Sequence, residues 1–489
     1  MEPEEPVMMQ QLAGRITIYS ITGCLHCLRA KSYLTKLGLP FFEVNVKEYP
    51  EIHQQIINLT ERLTVPQIYF NNIHVGGNND FMNLSEDELA SLINTVKNNP
   101  VPPDAPPIPV PGGVEEKGPV EELKSKRDEY ADLILEFKET GIIGSHWSCL
   151  KMQQNSFSGK KLVNWLMEHK NVDQAAAVDI AKELSARKYL NPLSVKGFEN
   201  SDALYRLIEH DFAVSLNTGS TAEYNAISAS KHSEAMRDLT LKLFSEHITP
   251  DGKLVDYKAM LRSPAFEEYC QLATQLQRLD VENLTRKQKL AFFINVYNAL
   301  VIHGNIKQGA PKNMWQRYKF FNSVSYVIGG EIFTLQDIEN GILRGNRKGI
   351  AQISKPFSKN DPRLKVALET VEPLIHFALN CGVLSCPPIK TYSAEEIDQQ
   401  LRISAAAFLD GSDGCQIDVS KREVRLSQIF KWYKIDFGGT DEKMCALFLC
   451  IVAELVVRAS RRFTKEESIG RTPEARGHQN WQPSIRLVN

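Results

Sequence analysis

The sequence predicts a multidomain chain of mixed α/β and α+β class, and three observations lead there. Its 489 residues suggest about three domains of ~150 residues each. Between Pro100 and Pro119 lie eight prolines with Gly112, Gly113 and Gly118, a composition that favours an extended spacer. Before that run, apolar segments alternate as βαβαββα, and after it the periodicity is mainly helical.

In chain order, Arg15–Ser20 and Phe41–Val46 read as strands around a helix over Leu25–Leu37, and a second helix is expected around Glu51–Asn58. Gln67–Phe70 and Ile73–Val75 read as a hairpin turning at Asn71-Asn72, and Ser85-x-x-Glu88 is a capping box for the last helix. Glu121–Thr140, Lys160–His169 and Val172–Arg187 are helical runs, closed by short strands at Phe198 and Leu204–Leu207. The polar stretch 213–230 reads as a linker, 231–463 as a third domain, and the Gly- and Pro-containing tail 464–489 as disordered. The expected boundaries are therefore 1–98, a linker over 99–120, 121–212, the linker 213–230, then 231–463 and the tail.

With 57 basic and 59 acidic residues, the net charge of −2 gives no electrostatic case for nucleic acid. The first residues are acidic and lack the apolar run of a signal peptide, and no stretch of 18 apolar residues occurs. Met444–Val457, the nearest, is broken by Glu454 and reads as a buried helix. Nine cysteines scattered over the chain do not form a disulfide framework, so a reducing, cytosolic setting is expected.

Cys24 and Cys27 make a CxxC where the first strand meets the first helix. Helix N-terminal partial charge stabilises a thiolate at Cys24, and such a pair near a βαβ pattern reads as a redox motif. Half of a zinc site is the competing reading, but His26 and His74 stand at no familiar zinc spacing, and no metal is expected. Thr64-Val65-Pro66 fits a cis-proline turn opposite the thiols, leaving the Val65 backbone to pair with a thiol substrate. Gly76-Gly77 allows close backbone approach to a ligand carboxylate.

CxxC, TVP and GG at these separations resemble glutaredoxin over residues 14–97. The resemblance implies a thioredoxin fold and glutathione-dependent reduction of mixed disulfides, with glutathione as co-substrate and protein disulfides as partners. It makes Cys24 the attacking thiol and Cys27 the resolving one. Val65 matches the backbone clamp on the glutathione cysteine, Asn78 and Asn79 match the positions that hold its γ-glutamyl end, and Thr64, Pro66, Gly76 and Gly77 complete the expected glutathione site. Three positions depart from the family: Ile21 replaces a usual Lys, Leu25-His26 a usual Pro-Tyr, and Asn79 a usual Asp or Ser.

In the second domain, Leu162, Val163, Trp165 and Leu166 give one apolar helix face after Ser158-Gly159. With Lys188-Tyr189-Leu190 and Phe198 to Arg206, this region resembles a DEP domain over roughly 125–210. That implies a winged-helix-like module of three helices and a β-hairpin, docking to an anionic membrane surface or a signalling protein. Its basic residues, among them Lys151, Lys160, Lys161 and Lys188, make either a lipid-facing patch or an ordinary solvated surface diluted by Glu168 and Asp179.

In the third domain, Thr285-x-x-Gln288 caps an all-apolar helix that buries Asn295 and Asn298, whose amides must then be hydrogen-bonded. Glu369, Glu372, His376 and Asn380 would form a polar stripe if one helix held them all, unless Pro373 starts it. Cys381 and Cys386 follow, so a cysteine hydrolase with His376 or His303 as base is one reading, and packing staples are the other. FFINVYNALVIH, HFALNCGVLSCPPI and IFKWYKIDFG resemble domain of unknown function 547, with Leu374 where that family usually has Arg. The expected molecule is a cytosolic, peripherally membrane-associated protein in which a redox domain precedes an adaptor. A non-enzymatic redox sensor or scaffold is the alternative.

Overall fold

The computed structural model describes residues 12–22, 24–62, 64–109, 127–148, 151–193, 195–211, 215–225, 227–249, 255–350, 352–380, 392–409, 414–418, 423–444, 446–448 and 484–487. They group into two compact units, one drawn from 1–118 with 238–267 and the other from 119–237 with 268–489.

The first unit is built on β1 (Ile16–Ser20), α1 (Leu25–Lys36), β2 (Phe42–Asn45), α2 (Pro50–Thr60), β3 (Gln67–Phe70), β4 (Ile73–Gly76), α3 (Asn78–Met82) and α4 (Glu86–Asn98). Its sheet runs β2-β1-β3-β4. β1 pairs parallel with β2, Ile18 opposite Glu43, and antiparallel with β3, Ile18 opposite Ile68. This is a thioredoxin fold. Ile16, Ile18, Ile68 and Phe70 bury one sheet face against Ala30, Leu34, Phe81 and Val96 of the helices. Tyr19, Val44 and Tyr69 bury the other against Ile52 and Ile56 of α2. The capping box opening α4 is closed in both directions, Ser85 N donating to Glu88 Oε2 at 2.9 Å and Glu88 N to Ser85 Oγ at 3.3 Å.

The proline run is partly docked rather than free. The Pro106 carbonyl accepts from Arg15 Nη2 at 2.8 Å and the Pro107 carbonyl from Tyr19 Oη at 2.6 Å. Proline carbonyls remain acceptors, so a proline-rich strand can dress a sheet face. Residues 110–120 of that expected linker lie outside the described residues.

The second unit begins with α5 (Glu129–Lys138), β5 (Gly144–Ser148), β6 (Lys151–Ser158), α6 (Gly159–Lys170), α7 (Gln174–Ala186), β7 (Leu190–Pro192) and β8 (Leu204–Leu207), with the sheet order β5-β6-β8-β7. Three helices pack Phe137, Leu162, Leu166, Ala181 and Leu184 over Phe157 and Tyr205. The first helix is shorter than expected because Asp128 caps it, accepting from Tyr130 N at 3.1 Å. Phe198 lies outside any strand, its ring tilted 33° to that of Tyr205 with centroids 5.1 Å apart. The β5–β6 hairpin carries no strong apolar alternation, so its sequence alone did not announce it.

The expected linker 213–230 requires correction. Ser215, Asn217 and Thr221 are buried, and Asn217 donates to the Ala273 and Val327 carbonyls and accepts from Val327 N, all at 2.9 Å. Short polar side chains that complete a neighbour's backbone bonding look like linker composition in a sequence. Asp128 further joins the two halves of this unit. It is buried, and Arg278 Nη2 donates to its Oδ2 at 2.5 Å while Arg187 Nη1 reaches its Oδ1 at 3.2 Å. The Arg278 guanidinium also lies 3.9 Å over the Tyr189 ring.

Arg286–Gln308 is the central helix, capped by Thr285 and Gln288 and buried along Leu290–Ile306. The polar stripe on one helix is overturned. Pro373–Phe377 is a single 3₁₀ turn with Glu372 as its N-cap, leaving Glu369 outside it. Proline's fixed φ and missing N–H suit that first position. Ser484–Leu487, inside the expected disordered tail, pairs parallel with Glu423–Leu426. The buried helix expected over Met444–Val457 lies mostly outside the described residues, as do Cys381 and Cys386. Among the described residues, no helix is long and apolar enough to cross a membrane.

Candidate functional site

Cys24 is the N-cap of α1, with extended φ −75° and ψ 114°, so its side chain faces the free amides of the first turn. Cys27 N donates to Cys24 Sγ at 3.3 Å. Hydrogen bonding to the Cys27 side chain holds the Cys24 thiol below its ordinary pKa against the upward push of burial. The backbone amides of Cys27 and His26 and the charge of Lys31 act in the same direction. Cys27 is 1% exposed, and burial followed by the proximity of Cys24 pushes its thiol far up. The two thiols thus differ in kind: one is poised to ionise and the other is kept protonated.

Val65-Pro66 is a cis peptide, and the Val65 carbonyl oxygen lies 3.7 Å from Cys24 Sγ. Pro66 is buried while Thr64 is exposed. Gln67 ties this turn down, donating to the Thr64 carbonyl at 2.6 Å, and its Oε1 lies 2.7 Å from His74 Nε2. Gly76 has φ +112°, and a Cβ there would meet the Asp80 carboxylate at 2.3 Å, so no other residue fits. A Cβ on Gly77 would stand 3.6 Å from the Pro66 carbonyl oxygen, which places the glycine pair beside the Val65-Pro66 turn.

The structure therefore brings Cys24, Cys27, Val65, Pro66 and Gly77 to one end of the sheet. Asn78 and Asn79 follow directly; Asn78 is buried with its Oδ1 unpartnered, and Asn79 is exposed. The Gly77 amide is already taken by Asp80 Oδ2 at 2.8 Å, and Asp80 pairs with Arg62. Burial raises the Asp80 pKa, but the Gly77 amide and Arg62 outweigh it and hold it low. Ile21 packs on the Tyr19–Val44–Ile56 cluster beside Val65, so the position where relatives usually carry Lys serves apolar packing here. Sequence reasoning missed Asp80 and Arg62; an acid three residues after a glycine pair was the available signal.

The third region's candidates belong to the second unit, whereas the thiols belong to the first. Asn298 Nδ2 donates to the Ala378 carbonyl at 3.1 Å and its Oδ1 accepts from Asn380 N at 2.8 Å, while Asn295 Nδ2 donates to the Tyr392 carbonyl at 2.8 Å. Both staple the central helix to the segments beside it. His376 Nε2 lies 2.9 Å from Asp436 Oδ2, and its ring stacks 3.7 Å from Tyr433. Arg344 grips both Asp436 oxygens and Arg347 Nη1 donates to Oδ1 at 2.7 Å. Burial pushes Asp436 up, but His376 and Arg344 together hold it well below the carboxylate range. Burial pushes His376 down despite Asp436. His303, the other candidate base, has its Nδ1 2.8 Å from Tyr326 Oη and its Nε2 3.9 Å from Cys270. Asp436, Arg344 and Arg347 were not anticipated, because their meeting with His376 spans many tens of residues.

Comparison with known proteins agrees with this geometry. Family models match for Glutaredoxin over 16–75, for DEP (the domain found in Dishevelled, Egl-10 and Pleckstrin) over 143–207, and for DUF547, a protein of unknown function, over 281–409. Glutaredoxin 1 of Rickettsia typhi is 33% identical over 95 residues, which cover 19% of this chain and 91% of that protein. The glutaredoxin of Pseudomonas aeruginosa is 35% identical over 65 residues, 13% of this chain and 77% of that protein. The solution structure of glutaredoxin from Brucella melitensis is 32% identical, covering 17% of this chain and 90% of that one. Its TM-score is 0.16, so the fold rests on the strand order described above. The chain belongs to the glutaredoxin family through its N-terminal thioredoxin-fold domain, which heads a fusion with a DEP domain and a DUF547 domain.

Proposed function

We propose that the N-terminal domain is a glutathione-dependent thiol–disulfide oxidoreductase, and that the DEP domain brings it to a signalling complex or an anionic membrane surface. The observation that carries this reading is the asymmetry of the thiols. Cys24 is half-buried, hydrogen-bonded and held low, while Cys27 is buried and held high, 3.7 Å from Cys24 Sγ being the Val65 carbonyl of the cis-proline turn.

The Cys24 thiolate attacks the glutathione sulfur of a mixed disulfide, and the partner leaves as a thiolate that takes up a proton. A second glutathione thiolate then attacks the Cys24–glutathione disulfide, releasing glutathione disulfide and restoring the Cys24 thiolate. Alternatively Cys27 gives up its proton and closes a Cys24–Cys27 disulfide, expelling reduced glutathione. In the first route a second glutathione supplies the reducing thiol; in the second the cysteine pair supplies the two electrons, and two further glutathione thiols reopen the Cys24–Cys27 disulfide, leaving as glutathione disulfide. Val65, with Thr64 and Pro66, would pair with the glutathione backbone. Gly76, Gly77, Asn78 and Asn79 would face its γ-glutamyl end.

The competing reading, a redox sensor without turnover, draws on Ile21 and on the Asp80 carboxylate that occupies the Gly77 amide. Both weaken anion binding without touching the thiols. The deciding measurement is glutathione-dependent reduction of a small mixed disulfide by the full chain beside its Cys24→Ser variant. Turnover above that variant is expected; equal rates would leave only the sensor.

A further inference from the structure

We propose that the helix Met314–Ser323 is a membrane-interface anchor, by which the second unit seats on an anionic lipid surface independently of its DEP domain and of the redox reading. On this helix Met314, Trp315 and Tyr318 are 82%, 73% and 54% exposed. They share one face by helical spacing, and the Trp315 and Tyr318 rings stack at 6.1 Å with 19° between planes. On the opposite face Phe320 is buried against Gly304, where an added Cβ would come within 2.6 Å of its ring, and at the edge of the exposed face Phe321 lies 6.4 Å from Tyr297. Asn313 caps the helix, accepting from Gln316 N at 2.9 Å. The aromatic face is thus presented by a fixed element.

Charge names the occupant. Between Glu282 and Glu331 the sequence has no acidic residue, whereas Lys307 and Lys312 precede this helix and Arg317 and Lys319 lie on it. Lys312 and Lys319 are exposed beside the apolar face. Indole and phenol rings prefer the headgroup boundary, with an apolar body in the acyl region and a polar edge in water. Lysines flanking such rings meet anionic headgroups. With no described helix able to span a bilayer, the association is peripheral.

The test is sedimentation of the full chain with phosphatidylcholine vesicles with and without phosphatidylserine. Binding to the phosphatidylserine vesicles is expected, falling about tenfold in Trp315→Ala/Tyr318→Ala and again in Lys312→Glu/Lys319→Glu. Trp315→Phe should remove a blue shift of tryptophan emission on vesicle addition. These side chains are exposed, so unchanged melting of the variants verifies folding. Absent vesicle binding, binding lost only in Trp147→Ala of the DEP hairpin, or a dimer that Trp315→Ala/Tyr318→Ala converts to monomer without any lipid binding would each overturn the proposal.

Discussion

Cys24 and Asp436 both hold their charge more readily than an ordinary thiol or carboxylate, but the surroundings differ. Cys24 stands at a helix start, partly buried, with hydrogen bonds from the Cys27 amide and thiol on one side and the Val65 carbonyl, to which its own thiol donates at 3.7 Å, on the other. Asp436 is 8% exposed and its oxygens are shared among His376, Arg344 and Arg347. The first arrangement favours an anion through neutral donors and leaves the sulfur partly exposed. The second spends both oxygens on the fold. A lowered pKa on a partly exposed thiol is compatible with chemistry, whereas one on a carboxylate engaged by three side chains is structural, and that separates the thiol pair from the Asp436 network.

The comparison is broken most sharply at the thiol. Cys24→Ser should reduce disulfide turnover to background while leaving thermal unfolding unchanged; residual turnover in that variant would move the chemistry elsewhere. Asp436→Ala should do the reverse. It strands Arg344, Arg347 and His376 in a buried setting and should cost about 3–5 kcal/mol of the second unit's stability in urea unfolding, with turnover intact. A small stability loss would show that the network is not structural.

Acid gives the next largest effect. Burial pushes His232 down to about 4 and His303 to about 3. An unfolded chain takes up protons at these residues below ~6.5, and the folded chain does not until the lowered values are reached. Their contribution is therefore complete above ~6.5 and is lost as the pH falls towards 4 and 3, on the order of 3 kcal/mol for His232. Denaturant titrations across that range check the sign, and His232→Leu should flatten the slope. The smallest change expected is at Ile21. Ile21→Lys adds a cation that snorkels past the Tyr19–Val44 cluster, and should tighten glutathione by ~1 kcal/mol, about fivefold in KM.

The thiol site was legible because its parts are local signals: a CxxC at a strand-to-helix junction, a proline after two β-formers, two adjacent glycines. Each imposes its backbone through covalent geometry or capping, within a few residues. Asp80 capturing the Gly77 amide was not legible, since either water or a ligand could have satisfied that donor. Ile21 was read as a missing cation, and its apolar role emerged only from the cluster it joins. In the second unit, Ser215 and Asn217 looked like linker residues because polarity records what a side chain can bond, not whether its partner is water or the Val327 backbone.

By itself the sequence determined the order of the three domains, the redox pair and the capped central helix. These depend on periodicity and on residue types whose preferences act over a turn or two. Only the tertiary structure decided that Asp128 and Arg278 tie the DEP module to the segment before the central helix, that Asp436 joins His376 and two arginines, and that Trp315 and Tyr318 face outward. Such meetings cross 60 to 150 positions of chain. Nothing local encodes them, because the burial that makes them favourable exists only once the whole unit has closed.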